Sequence, residues 1–200
     1  MLIKPATAAE AAMDALEAIL TRVTVPQALM GGPGPDDAAL AAILRAGAAA
    51  PDHGKLRPWR FLVFRGEGLA RLGDLMADAH ALRDPAVPQE ELARTRERPA
   101  RAPLIVAVVA AVDPAHPKIP EIEQIASAAA AAQNMLLAAH AQGLVGKWST
   151  GKDAYDAHVK AGLGLAPQEH LLGFLYCGSP RVAPRPAEHA DPASVTVEWR

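Results

Sequence analysis

Cysteine is almost missing from these 200 residues: Cys177 is alone. No disulfide can form within the chain, and a single thiol in an apolar strand reads as inert filler. A reducing, cytoplasmic location is the default expectation. No excess of one charge sign is present either. The formal net charge is −2, which gives no electrostatic case for nucleic acid or an anionic membrane. No run is long and apolar enough to span a bilayer, since Ile125 to Ala141 is Ala-rich and interrupted by Ser127, Gln133 and Asn134. The N-terminus lacks the basic region, apolar stretch and cleavage site of a secretory signal. Internal repeats are absent.

The signatures of several enzyme classes are absent too. Gly143-Leu-Val-Gly-Lys147-Trp-Ser-Thr150 fails as a phosphate-binding loop. Its first glycine lies too close to Gly146, and Trp148 stands where Ser or Thr should hold a metal. No Rossmann glycine fingerprint follows a strand. None of the seven histidines lies four residues from another, and no cysteine cluster assists them, so metal ligation is unsupported. No Gly-x-Ser-x-Gly presents a hydrolytic serine. Any reaction is therefore left to a bound cofactor.

What remains describes one domain, residues 1–200, with half its residues hydrophobic and enough length for a real core. Thr7 and Glu10 fit a capping box, followed by an apolar stripe through Met13, Leu16, Ile19 and Val23. Pro26 to Pro35 has loop composition. Asp36 caps a second helix running to about Ala49. Trp59 to Arg65 reads as a strand and Glu67 to Leu82 as a helix. A short helix at Gln89 to Glu97 fits the polar, Pro-rich stretch beyond, lying over the body like a lid. Leu104 to Val112 reads as a strand buried on both faces. The longest helix, Glu121 to Gln142, carries small apolar residues around most of its circumference and belongs in the core or at a subunit interface. Gly146 to Ser149 reads as a strand, Asp153 to Ala161 as a helix and His170 to Cys177 as a buried strand. The Pro-rich arm from Pro180 should run extended and end in a strand, Ser194 to Trp199, that needs a sheet to join.

The stretch Ile43 to Phe64 sets a helix end, a charged turn and a strand in sequence. Asp52, His53, Gly54, Lys55 and Arg57 crowd that turn before Pro58. Such a loop on a rigid strand can present polar groups to a ligand, or can be a surface turn that satisfies its own backbone.

APDH followed by PW and an apolar strand resembles the nitroreductase family of flavoproteins, and within it the small YdjA-like subgroup. ILRAG, RAPLIVAVVA, AAHAQGLVGKW and GFLYCGSP occur in the matching order from about Met13 to the C-terminus. The resemblance implies an α+β fold with a central mixed sheet of about four strands, helices on both faces, and a C-terminal strand (within residues 180–200) added to the partner subunit's sheet. It implies a homodimer holding FMN at the interface. NADH or NADPH would reduce the FMN, and a nitro compound, quinone or similar small-molecule acceptor would reoxidise it. The chemistry would be the flavin's, with no catalytic side chain and no metal. Arg22, Val23 and Thr24 correspond to the subgroup's Arg-Arg-Ser, Ala49 and His53 to an Arg and His reaching the other subunit's flavin, and Trp148, Ser149 and Thr150 to Trp-Arg-Ser. Ala138, Ala139, His140, Ala141, Gln142 and Gly143 correspond to a nicotinamide-nucleotide segment. Val23, Ala49 and Ser149 each stand where the subgroup has Arg, so the phosphate would be gripped weakly unless Lys55, Arg57, Lys147 or Lys152 compensates. The alternative is a flavin-fold binding or assembly protein with a degenerate site.

Overall fold

A computed structural model describes residues 13–200. The apolar run Leu104–Ala110 forms β3, and all of it is buried. It lies between β2 (Trp59–Phe64) and β5 (His170–Pro180), antiparallel to both. β4 (Val145–Ser149) adds antiparallel to β5, and the two-residue β1 (Met30–Gly31) meets the far end of β5. The side-chain alternation of β3 divides the core in two. Leu104, Val106 and Val108 pack against α2 (Asp37–Ala48) and α5 (Glu121–His140). Ile105, Ala107 and Val109 face α3 (Glu67–Arg83) and α6 (Ala157–Gly162). Helices therefore cover both faces, as the α+β reading requires.

The expected mixed sheet of about four strands differs in detail. Among the described residues it has five strands, all paired antiparallel, and its parallel component is a single bridge between Thr24 and Gly146. Val25 N–H donates to the Gly146 carbonyl at 3.1 Å, and Pro26, with no N–H, stops the ladder there.

α1 (Ala15–Thr21) starts at Asp14, whose carboxylate accepts from the Glu17 N–H; the Thr7–Glu10 box lies outside the described residues. The α1 stripe is not buried within this chain, for Leu16, Ile19 and Leu20 are exposed. α4 (Gln89–Glu97) has the expected bounds and lies on α3, where a side chain on Gly73 would collide with the Arg96 carbonyl. The helix expected over Asp153 to Ala161 covers only α6, capped by Asp156 accepting from Val159 N–H. α5, which has no evident partner in the sequence, finds one within the chain. It packs on α2 and the sheet, with Met135 against Gly47 and Asn134 Nδ2 donating to the Ala46 carbonyl.

The arm after Pro180 runs extended, tied by the Arg181 N–H to the Leu29 carbonyl and by His189 Nε2 to the Leu20 carbonyl at 2.7 Å. Ser194 to Trp199 is not a strand within this chain. Pro192–Ser194 forms a 3-10 turn, Val195, Val197 and Trp199 are exposed, and none of the chain's own strand edges pairs with them.

A two-pronged ion pair fastens β2 to the approach of β5. Arg60 Nε and Nη2 donate to the two Glu169 oxygens at 2.7 and 2.6 Å, and Ala166 N–H donates to the same carboxylate. The Arg60 hydrogen bonds hold the Glu169 pKa below the usual carboxylate range, against the opposing effect of burial. A depressed carboxylate stabilises the fold above its unfolded pKa and loses that contribution as pH falls through the folded value. Arg60→Ala should cost about 1–3 kcal/mol at neutral pH. Urea unfolding at a series of pH values checks this, and the deficit should shrink in acid.

Candidate functional site

Arg22, Val23 and Thr24 follow α1 directly, and the Thr24–Gly146 bridge sets them beside β4. The bridge thereby ties the first candidate segment, 22–24, to the strand that leads into the third, 148–150. Arg22 is half-buried, and its Nε is the one buried side-chain nitrogen or oxygen among the described residues without a hydrogen-bond partner. An unsatisfied buried guanidinium N–H costs stability unless an anion completes it.

Arg22 also lies near the last residue of α5. His140 Nε2 sits 2.8 Å from Thr21 Oγ1, whose hydroxyl donates to the Glu17 carbonyl. The hydroxyl must therefore accept, and the imidazole carries its proton on Nε2. Burial first, and then the Arg22 charge, push the His140 pKa below the ordinary histidine value. The structure thus joins the 138–143 segment to Arg22. Ala138 and Ala141 line a shallow groove with Ala49 and the apolar side of α1.

His53 lies elsewhere. Its Nδ1 is 2.7 Å from Glu123 Oε2 in the first turn of α5, whereas Arg22 adjoins the last turn. At about 1.5 Å of rise per residue, the helix between Glu123 and His140 separates those points by about 25 Å. The His53 loop is held in an uncommon conformation: Lys55 and Arg57 have φ of 58° and 51°, and Asp52 Oδ2 accepts from Arg57 N–H at 2.6 Å. Lys55 and Arg57 are exposed on that loop, away from Arg22.

Strand alternation divides the third segment. Trp148 points to the α5 side, where its Nε1–H donates to the Leu172 carbonyl at 2.8 Å. A bulge in β5 makes this possible: pairing with β3 slips between Val108 and Val109, and Gly173 takes φ 129°. Lys147 and Ser149 point the other way, into a polar cavity of about 410 Å³ that Thr150 and Gly151 also line. Its floor is a charge network. Asp153, 6% exposed, takes hydrogen bonds from Arg83 Nη2 and Arg98 Nη2, and Arg83 Nη1 donates on to Asp156. Burial pushes the Tyr176 phenol up, against the opposing pull of the Arg98 charge. Lys147 Nζ donates to Gln27 Oε1 at 3.1 Å. A second cavity, of about 380 Å³, lies between Val23–Pro26 and the arm residues Val182–Arg185. Residues 24–27 thus border both.

Residues 19–179 match the family model described as the Nitroreductase family. The chain belongs to the nitroreductase family. The Escherichia coli K12 protein YdjA, named "Putative NAD(P)H nitroreductase", is 38% identical over 173 residues, covering 85% of this chain and 90% of that protein. A nitroreductase-like protein of known structure from Bacillus cereus superposes with a TM-score of 0.81 at 23% identity, over 96% of this chain and 99% of that one. A Desulfovibrio desulfuricans nitroreductase solved in complex with FMN gives 0.68 at 26% identity, over 92% and 96%.

Within this family fold, 22–24 and 138–143 meet at the C-terminal end of α5, β4 carries 148–150 away from it toward Leu172 and Phe174, and His53 lies at the N-terminal end. Sequence reasoning missed Gln27, Arg83, Arg98, Asp153, Tyr176 and Arg185. Lys147 was legible only as one of four cations near the candidate segments. The remainder depend on contacts between distant segments.

Two expectations follow. Gly173→Ala would force an L residue into φ 129° and set its methyl within 2.7 Å of the Ser149 carbonyl. It should lower stability by about 1–3 kcal/mol, measured by denaturant unfolding followed by Trp fluorescence. Arg22→Gln should raise the His140 pKa part of the way toward about 6.5, burial supplying the remainder. NMR titration of the imidazole reads this directly. A lowered histidine pKa stabilises the fold above the unfolded value and loses that contribution as pH falls below it, so the variant should lose less stability on mild acidification.

Proposed function

We propose that this chain is an FMN-dependent oxidoreductase, with NADH or NADPH as reductant and a nitro compound, quinone or similar small molecule as acceptor. The observation that carries the reading is the unpartnered, buried Arg22 Nε, adjoining Thr24 and bridged to the 146–150 strand, in a nitroreductase-family chain. Arg22 and Thr24 fit a phosphate: one offers an unused cationic N–H, the other an exposed hydroxyl. The Desulfovibrio relative's FMN supports the same cofactor. When bound, FMN supplies hydride transfer between the nicotinamide and the acceptor.

The residues then take separable tasks. Arg22 and Thr24 hold the phosphate, with Arg185 lining the same cavity as Thr24 from the arm. The ring system lies in the polar cavity, where Ser149, Thr150 and Gly151 form a wall and the Arg83–Asp153–Arg98 network fixes its floor. The 138–143 segment takes the nicotinamide nucleotide. His53, at the far end of α5, closes on the flavin of a second subunit, which makes the functional unit a homodimer. The exposed α1 stripe and Val195, Val197 and Trp199 of the arm are the apolar surfaces left for that partner.

The missing arginines favour a second reading, a flavin-fold protein that binds or assembles without turnover. Arg185 and Lys147 weigh against it, because each sets a cation beside a candidate segment that lost one.

Purified protein should be yellow and should oxidise NADH or NADPH when a nitroaromatic or quinone is supplied. Arg22→Ala and Arg185→Ala should each weaken FMN about 10- to 100-fold, from about 1.5–3 kcal/mol per charge-assisted hydrogen bond. Titration by flavin fluorescence quenching measures it. Mixed dimers of Arg22→Ala and His53→Ala chains should regain activity that neither variant shows alone, since reassortment leaves one pocket intact. Tight FMN binding without turnover of any acceptor would favour the second reading.

A further inference from the structure

The Arg22 guanidinium has no counter-ion within the chain. Among the described residues no carboxylate pairs with it, and its Nε lacks a hydrogen-bond partner. The residue before it, Thr21, holds the imidazole that ends α5. His140 Nε2 donates to Thr21 Oγ1 at 2.8 Å, and that hydroxyl is itself fixed by donating to the Glu17 carbonyl. The ring is half-buried, and its Nδ1 makes no hydrogen bond among the described residues. Opposing influences act on that free nitrogen. As the last residue of α5, His140 stands at the negative end of a 20-residue helix, which favours an imidazolium. Burial and the Arg22 charge disfavour it, and the exposed Glu17 offsets them in part. The last two turns of α5 carry no other ionisable side chain. Around them, Arg45 of α2 is exposed, Lys147 of β4 is bonded to Gln27, and His189 of the arm is bonded to the Leu20 carbonyl. An anion set against Arg22 would cancel the repulsion between the two cations and leave the helix end to favour the second.

We propose that His140 is the second cation of the phosphate site at Arg22, neutral while the site is empty and protonated when the phosphate is in place. The proposal rests on the reading that Arg22 and Thr24 hold the FMN phosphate. The proton comes from solvent onto Nδ1, the ring passes from neutral to positively charged, and the proton returns to solvent when the phosphate leaves. No bond from His140 to the phosphate is needed. A charge that Thr21 holds next to Arg22 lowers the free energy of the bound dianion through space. By reciprocity, the affinity that the proton adds to the phosphate equals the affinity that the phosphate adds to the proton. The neutral empty state avoids setting two uncompensated cations side by side in a partly buried turn. A conditional charge from the end of α5 thus stands in for the permanent one that Val23 does not bring.

NMR titration of the His140 imidazole in the flavin-free protein, with riboflavin and with FMN, reads the proposal directly, because riboflavin is the same ring system without the phosphate. FMN should raise the His140 pKa by about one unit, and riboflavin should leave it within about 0.3. Flavin fluorescence quenching supplies the reverse reading. His140→Gln keeps an N–H for Thr21 and cannot take the proton. The unmodified protein should bind FMN about fourfold more tightly than this variant at about pH 6 and should match it at about pH 8, the phosphate's own titration being common to both. A His140 pKa that FMN leaves unchanged would overturn the proposal and leave the phosphate reading intact, as would an equal rise with riboflavin. An equal loss of affinity in His140→Gln at both pH values would also overturn it, because the ring would then act only by holding Thr21. Failure of FMN to bind the unmodified protein more tightly than riboflavin would overturn the phosphate reading first and this inference with it.

Discussion

One backbone contact, the parallel bridge between Thr24 and Gly146, sets the site. It joins the turn after α1 to an edge strand more than a hundred residues away, with Val25 N–H donating to the Gly146 carbonyl. Position 146 tolerates this because it is glycine: a side chain there would come within 2.8 Å of Leu136 on α5. The bridge holds Arg22 and Thr24 at one end of a short chain of residues whose other end, Gln27, reaches the polar cavity. Cation, hydroxyl and cavity are thus ordered along one wall. The proposed phosphate contact at Arg22 and the proposed ring position beside Ser149 and Thr150 follow that order.

α5 imposes the second constraint. Its last residue contacts the α1 turn and its first turn carries the ion pair to His53, so the candidate residues of one subunit fall into two groups about 25 Å apart. A rigid buried helix cannot fold to bring them together. In a two-fold dimer the opposite ends of two such helices can meet, and each pocket then draws on both chains. The apolar side chains that this chain leaves uncovered, on α1 and on the arm, are consistent with that arrangement.

The sequence carried much of the fold because the strongest signals were local. Seven consecutive apolar residues gave β3, and the proline before Gln89 gave α4 its start. Readings failed where a distant contact outcompeted local preference. Asp153 looked like a helix start, but its carboxylate is taken by Arg83 and Arg98, so the cap passes to Asp156. β1 is two residues inside a glycine- and proline-rich loop and exists only through β5. The bulge at Gly173 that seats Trp148 leaves no trace in composition. For the site, resemblance located the segments and named Lys147 among four cations near them, but which of the four faces the cavity, and that Arg185 of the arm stands beside Thr24, emerged only when the chain was folded. Trp148, picked as a cofactor contact, uses its indole N–H to pin β4 to β5.

The central claim is that two chains complete one flavin site. Sedimentation velocity of the FMN-loaded protein, followed simultaneously by protein and by visible flavin absorbance, tests it most directly. The account predicts that all flavin sediments with a species of twice the chain mass, at one flavin per chain, and that dilution to the monomer releases it. Flavin that stays bound to a sedimenting monomer would contradict the account.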